Sequence, residues 1–265
     1  MARMNGLLVD IGSGVKDRAK RVLYAMGFFF NVVKEFFLFF RRRQVGYKVL
    51  TMQILFTGVE ALGVSAVLAV GIGAAINIIG SSILPTFGQS ALMYPILIAV
   101  ITRELGPLLT AFIIIARSGT AIATELGNMV VSHEIEAYVA FGINPISFLV
   151  VPRIVGVTVA MVVLNVYFNL FGLLGSYLVV QFVKPIGVME YFLPLFKALT
   201  WNDLSIGLLK SLTFGVITSV VSTYQGFSVN RAVTEIPVAG IRAVSQNFLF
   251  CVVADVLLTV LHYAL

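Results

Sequence analysis

Arg103 and Glu104 stand side by side inside the apolar run ITRELGPLLTAFIIIA (Ile101–Ala116). A charge at the bilayer centre costs roughly 2.5–3.5 kcal/mol on an insertion scale, so such residues face a cavity or a partner. Adjacent helical residues point about 100° apart, so the two do not simply neutralise each other. An arginine there offers a planar fork to an anionic headgroup. Two readings stay open: at least one of the pair contacts a ligand, or each pairs with a charge on another span, with Arg242, Glu60 and Asp255 as candidates. Gly106-Pro107 follows at once. Proline frees backbone groups and kinks a helix, which suits a cavity wall. Counted from Ala91, the pair lies about 18 Å deep, near the bilayer midplane.

HEIEAYVAFGINP (His133–Pro145) is a second candidate. Glu134 and Glu136 open a short helical pattern, Ala137, Val139 and Ala140 give it small apolar contacts, and Gly142 with Pro145 ends it. It is either a surface helix that joins two spans or one that docks into a cytoplasmic motor. No G-x-x-x-x-G-K-[ST] loop occurs, so this chain does not hold ATP in that way and a motor is a separate polypeptide. Cys251 is the only cysteine, and His133 and His262 are the only histidines. These counts exclude an intrachain disulfide and argue against a transition-metal site. Nothing near His133 supports Ser/His/Asp catalysis.

Membrane helices must position these residues. The chain has 265 residues, 59% hydrophobic and 11% charged, against about 25% charged in a soluble domain. The expected class is an all-α integral membrane protein. Ten of the 18 Lys and Arg lie in the first 48 residues. Beside membrane spans this reflects the positive-inside rule rather than nucleic acid, and it puts the N-terminus in the cytoplasm. Residues 1–15 read as a loose tail. Residues 16–43 hold seven Phe between Phe28 and Phe40, flanked by basic clusters and broken by Lys34-Glu35. That composition predicts an amphipathic helix in the headgroup layer, with a first span carrying a charged pair as the alternative.

Five spans follow, predicted near Gln53–Gly80, Ala91–Ala116, Ile146–Phe182, Leu204–Phe227 and Ile241–Tyr263. They put the C-terminus outside. Residues 117–145 read as a polar cytoplasmic connection. Arg153 lies close enough to the surface to snorkel. Lys184–Asp203 reads as an outside segment on the interface, and Ser228–Gly240 as a cytoplasmic loop. The expected division is 1–48 for the basic tail and interfacial helix and 49–265 for the five-helix domain. No internal repeat points to an inverted-repeat transporter.

ITRELGPLLTAFIIIARSGTAIATELGNM, followed by EIEAYVAFGINPISFLVVPR, closely resembles the MlaE (YrbE) permeases, over most of residues 20–263. The resemblance implies the membrane subunit of an ABC transporter that moves phospholipids or other lipids between a bacterial inner membrane and the outer envelope. It implies a dimer with a second permease copy, a separate ABC ATPase dimer that uses the ATP, a periplasmic ring of MCE-domain protein and, in some systems, a small STAS-domain protein. The C-terminus would be periplasmic, and this chain would carry no cofactor. Carried over by position, Arg103, Glu104 and Leu105 would line a lipid pocket with Ile76, Ile83, Leu84 and Phe87, and Arg242 would add a basic position from the fifth span. A coupling helix near 130–143 would present Glu134, Glu136, Ala137, Tyr138, Phe141 and Gly142 to the ATPase. The sequence departs from the family pattern before Arg242, where Pro237-Val238-Ala239-Gly240-Ile241 stands. His133 and Asn144 occupy places where acidic residues are common. A secondary transporter using Arg103, Glu104, Glu60 and Asp255, and a non-transporting envelope scaffold, are the competing readings.

Overall fold

A computed structural model describes Leu23 and residues 26–38, 47–183, 185–230 and 232–264. The expected tail over 1–15 and the basic run Arg41–Arg43 lie outside them. Among the described residues there is no strand, and five helices are long and apolar enough to cross a membrane. We number the helices α1 (26–38), α2 (Thr51–Phe87), α3 (Ser90–Val131), α4 (Glu134–Ala140), α5 (Ile146–Phe182), α6 (Val188–Ala198), α7 (Trp201–Phe227) and α8 (Glu235–Ala264).

The span α5 is the axis, packed against both α2 and α7. On α2 the buried face is Ala61, Ser65, Ala69, Gly73 and Asn77, a four-residue spacing of mostly small side chains. That seam lets α2 and α5 approach closely, the usual way for membrane helices to gain van der Waals contact when lipid removes the hydrophobic drive. The outer face of α2 keeps large apolar groups, among them Val64, Val67 and Ile79, exposed. The middle of the bundle is closed by Ile114, Ile115, Leu126, Met161, Leu164 and Phe214.

The two ends of the bundle differ. At one end α1 seats Phe28 and Val32 against Val150 and Ile154, with the Phe28 ring 5.8 Å from Tyr224 and 6.0 Å from Phe227. Phe36 packs there too, while Phe29, Phe30 and Phe37 are exposed. The thirteen described residues of α1 are fewer than a span needs, and one seated and one open apolar face suit the interfacial reading. At the other end α6 drives Tyr191 and Leu195 into the bundle. The Tyr191 hydroxyl lies 2.6 Å from Ser176 Oγ and donates to Leu173 O at 3.2 Å. Burial pushes its phenol above the usual range. The expected outside segment is therefore a docked helix rather than a strip lying on the surface.

The third span matches its predicted bounds, and the other four run longer. The helix α3 continues through 117–131, which read as polar connection. Tertiary packing overrides the local polarity there: Ile122, Ala123, Leu126 and Gly127 are buried, against α7 and α8. The helix α2 extends through Ser81-Ser82 to Phe87, and Gly88 with φ 71° turns the chain instead. The helix α8 starts at Glu235, because Pro237 falls in the first turn where its missing N–H is tolerated.

Candidate functional site

Gly106-Pro107 shapes the site before any side chain is considered. Pro107 has no N–H to give the carbonyl of Arg103, and its ring crowds that carbonyl. The helix answers with a π segment over Ala99–Leu105, closed by Gly106 N–H donating to Ile101 O. Gly106 is also a close-approach position, since a Cβ there would lie 2.9 Å from Asn165 Oδ1 on α5. A second π segment, Ile115–Gly119, follows on the same helix. Such segments occur often at functional sites. Here they turn Arg103, Glu104 and Arg117 toward partners on other spans.

Glu104 meets a lysine that is fully buried. Lys210 Nζ donates to Glu104 Oε2 at 2.5 Å and to Thr259 Oγ1 at 2.7 Å, and lies 2.9 Å from Asp255 Oδ1. One ammonium thus stands between carboxylates from α3 and α8, on a lysine from α7. The Lys210 side chain is 0% exposed and that of Glu104 36%. Buried charge needs this degree of pairing to persist in an apolar medium. The trio carries more carboxylate than ammonium, so it forms a polarised patch between three spans.

Arg103 points to the neighbouring helix ends. Its Nη1 lies 3.4 Å from Asp203 Oδ1, and its guanidinium carbon is 5.0 Å from the centroid of the Tyr263 ring. Asp203 is held in turn by a capping box, with Thr200 Oγ1 donating to Asp203 Oδ2 at 2.6 Å and Asp203 N donating back to Thr200 Oγ1 at 3.3 Å. Arg103 Nη2 is buried and has no acceptor among the described residues. That free donor is what an anionic oxygen would take.

These partners correct the expected depth. Asp203 is the third residue of α7, and Tyr263 adjoins the end of α8. Arg103 therefore sits near the α6 end of the bundle, not at mid-span. Counting from Ala91 misled because α3 is 42 residues long, about 63 Å, and its first turns pack on α6.

The other carried-over residues fall in three groups. Leu105 and Ile76 are half-buried, and Ile76 packs with Ile101. Ile83 and Phe87 are exposed and Leu84 half-buried. Arg242 is exposed, thirteen residues and about 20 Å along α8 from Asp255, so it does not join the Glu104 cluster. Glu60, a candidate partner for the pair, instead makes an ion pair with Arg117.

The short helix α4 lies at the opposite end of α3. His133 precedes it in a left-handed conformation, φ 59°, with Nδ1 2.8 Å from Glu136 Oε2. Histidine is among the non-glycine residues enriched there. Gly142 ends the motif with φ 75°. Tyr138 turns inward, its ring 5.4 Å from that of Phe148. Glu134, Glu136, Ala137 and Val139 face outward with Phe141, which is 82% exposed. An apolar ring left in the open beside two carboxylates is a surface suited to a partner.

Sequence reasoning missed Lys210, Asp203 and Thr259 as partners of the Arg103–Glu104 pair. Lys210 was visible as a lone charge in the fourth span, and Asp255 as the lone acid in the predicted fifth. Lone charges of opposite sign on separate spans were the available signal.

Comparison with known proteins agrees with this architecture. The family described as Permease MlaE matches residues 50–261. A probable ABC transporter permease protein of Rickettsia bellii is 25% identical over 257 residues, covering 97% of this chain and 99% of that protein. Another, from Rickettsia prowazekii, is 28% identical over 211 residues, 80% of this chain and 82% of its own. The intermembrane phospholipid transport system permease protein MlaE of Haemophilus influenzae is 23% identical over 218 residues, 82% of this chain and 84% of that one.

Proposed function

This chain belongs to the MlaE permease family, and on that premise we propose that it is the membrane subunit of an ABC transporter moving phospholipids or related lipids between a bacterial inner membrane and the outer envelope. It works as a dimer with a second copy of itself and is driven by a separate ATPase dimer. The α4 end is cytoplasmic, as the N-terminal basic load favours, and the α6 end faces the periplasm, where an MCE-domain ring and the C-terminus lie. A STAS-domain subunit can accompany the ATPase. ATP stays with the partner chain.

The observation that carries this reading is the continuity of α3. It holds Arg103 and Glu104 near one end and, after a two-residue turn, delivers into the exposed helix α4 at the other. A push on α4 therefore reaches the charged cluster through a single rod. The free Arg103 Nη2 supports headgroup contact. The exposed side chains of Ile83 and Phe87 support a lipid path completed by the second copy. The relative named for phospholipid transport supports the substrate class.

The test is ATP-dependent transfer of a fluorescent phospholipid by the purified permease–ATPase complex in proteoliposomes. Transfer that requires the ATPase and falls in Arg103→Ala supports the reading. Transfer driven by a pH gradient without the ATPase would replace it with a secondary transporter.

A further inference from the structure

Arg153 lies within reach of the membrane surface, but it is drawn inward rather than left to snorkel. Its side chain is only 10% exposed. Nη1 donates to Leu149 O at 2.8 Å, Nη2 lies 2.8 Å from Glu125 Oε1, and Nε is buried with no acceptor among the described residues. Glu125, its counter-charge among the described residues, is 60% exposed. Beside this arginine a cleft of about 620 Å³ opens between α2, α3 and α5, with Met52, Gln53, Phe56, Phe148 and Pro152 among its walls. Gln53 of its wall is itself closely packed, because a Cβ on Gly156 would lie 2.6 Å from Gln53 Cγ.

We propose that this cleft binds a phospholipid from the leaflet at the α1 and α4 end, with the headgroup phosphate on Arg153 and an acyl chain along Met52, Phe56 and Phe148. The cation is fixed by the Leu149 carbonyl and keeps a spare donor. The carboxylate that now neutralises it is free to swing into water, so an incoming phosphate exchanges with Glu125 at little structural cost. The walls next to the cation are apolar, which favours an amphiphile over a free ion. The volume falls within the range of about 300–1,000 Å³ usual for ligand sites. The level fits as well: Met52 stands in the second turn of a helix that begins at Tyr47 and Phe148 in the first turn of α5, toward the end of the bundle where headgroups meet acyl chains.

The site is distinct from the Glu104 cluster. Glu125 lies twenty-one residues along α3 from Glu104, about 30 Å away. It does not depend on transport by this chain. It does adjoin α4, since the Phe148 ring that walls the cleft packs on Tyr138, so an occupant bears on that helix.

The experiment uses the full chain in mild detergent and a phosphatidylglycerol with a photoreactive group on one acyl chain. Crosslinked peptides are mapped by mass spectrometry. Labelling is expected on the segments around Met52–Phe56 and Phe148–Pro152. Arg153→Gln should cut it about tenfold, the worth of one charge-assisted hydrogen bond. Glu125→Gln, which removes the competing carboxylate, should raise it several-fold by the same reasoning. The proposal is overturned if a diacylglycerol or fatty acid with the same photoreactive chain labels these segments equally. It is also overturned if millimolar inorganic phosphate abolishes labelling, which would make this a free-anion site. If Arg153→Gln fails to fold by size-exclusion chromatography, Glu125→Gln decides alone, and unchanged labelling overturns the proposal.

Discussion

Lys210 of α7 donates to Glu104 of α3 at 2.5 Å while lying 2.9 Å from Asp255 of α8. Three spans therefore share one ammonium, and that lysine is fully buried. Removing it leaves two carboxylates facing each other without a counter-charge. Breaking one partner out of a buried pair costs about 3–5 kcal/mol. Lys210→Met is expected to melt well below the parent protein, measured by thermal unfolding followed by size-exclusion chromatography. The triple variant Lys210→Met, Glu104→Gln, Asp255→Asn is expected to recover much of the loss, because no bare charge remains. A triple variant no more stable than the single one would show that packing, not charge, holds these spans.

Asp203 performs two tasks, and substitution can separate them. Thr200→Ala removes the hydroxyl that caps α7, a loss of about 1 kcal/mol, yet leaves the carboxylate beside Arg103. Asp203→Ala removes the cap partner and the Arg103 contact together. It is expected to lower the melting temperature more than Thr200→Ala does. In the complex it should also weaken lipid transfer, since Arg103 loses its anchor. Equal effects of the two variants on both readouts would make the Arg103–Asp203 contact incidental.

The spans were legible because apolar length announces them, and Ile146–Phe182 shows this best, having no polar stretch to blur its ends. The continuation of α3 past Ala116 was not legible. Arg117, Ser118 and Thr120 read as loop, and only their packing against α7 and α8 keeps them helical. The site divides in the same way. Gly106-Pro107 marked a distorted helix, because proline chemistry is local. The identity of Glu104's partner was hidden, because Lys210 is 106 residues away and only the folded bundle sets which lone charges meet. Arg153 was misread for a related reason: its fate depends on Glu125, which sits on a helix that the sequence showed as a loop.

The outward face of α4 yields a prediction about assembly. Glu134 is exposed and stands in the first turn, where a negative charge suits the helix dipole. Glu134→Lys should cost under 1 kcal/mol of local stability on that account. At a docking surface, a reversed charge costs several kcal/mol. Copurification of the ATPase is therefore expected to fall about tenfold or more, with the permease itself monodisperse. Undiminished copurification of Glu134→Lys combined with Phe141→Ser would remove α4 as the docking element.

Gly207 offers the sharpest test of whether the cluster geometry matters to transport. A Cβ at this position would lie 2.6 Å from the carbonyl oxygen of Thr102, the residue before Arg103. That contact is with backbone, so no flexible side chain can move aside. Gly207→Ala must push α7 away from α3 just where Arg103 meets Asp203 and one turn from where Glu104 meets Lys210. Overpacking of this kind costs about 1–3 kcal/mol. The expected result is a lowered melting temperature and reduced lipid transfer, with ATPase copurification intact, because α4 lies at the far end of α3. Gly207→Ala that melts and transports like the parent would mean that α3 and α7 slide freely against each other, and that the ion pairs follow the helices rather than fix them.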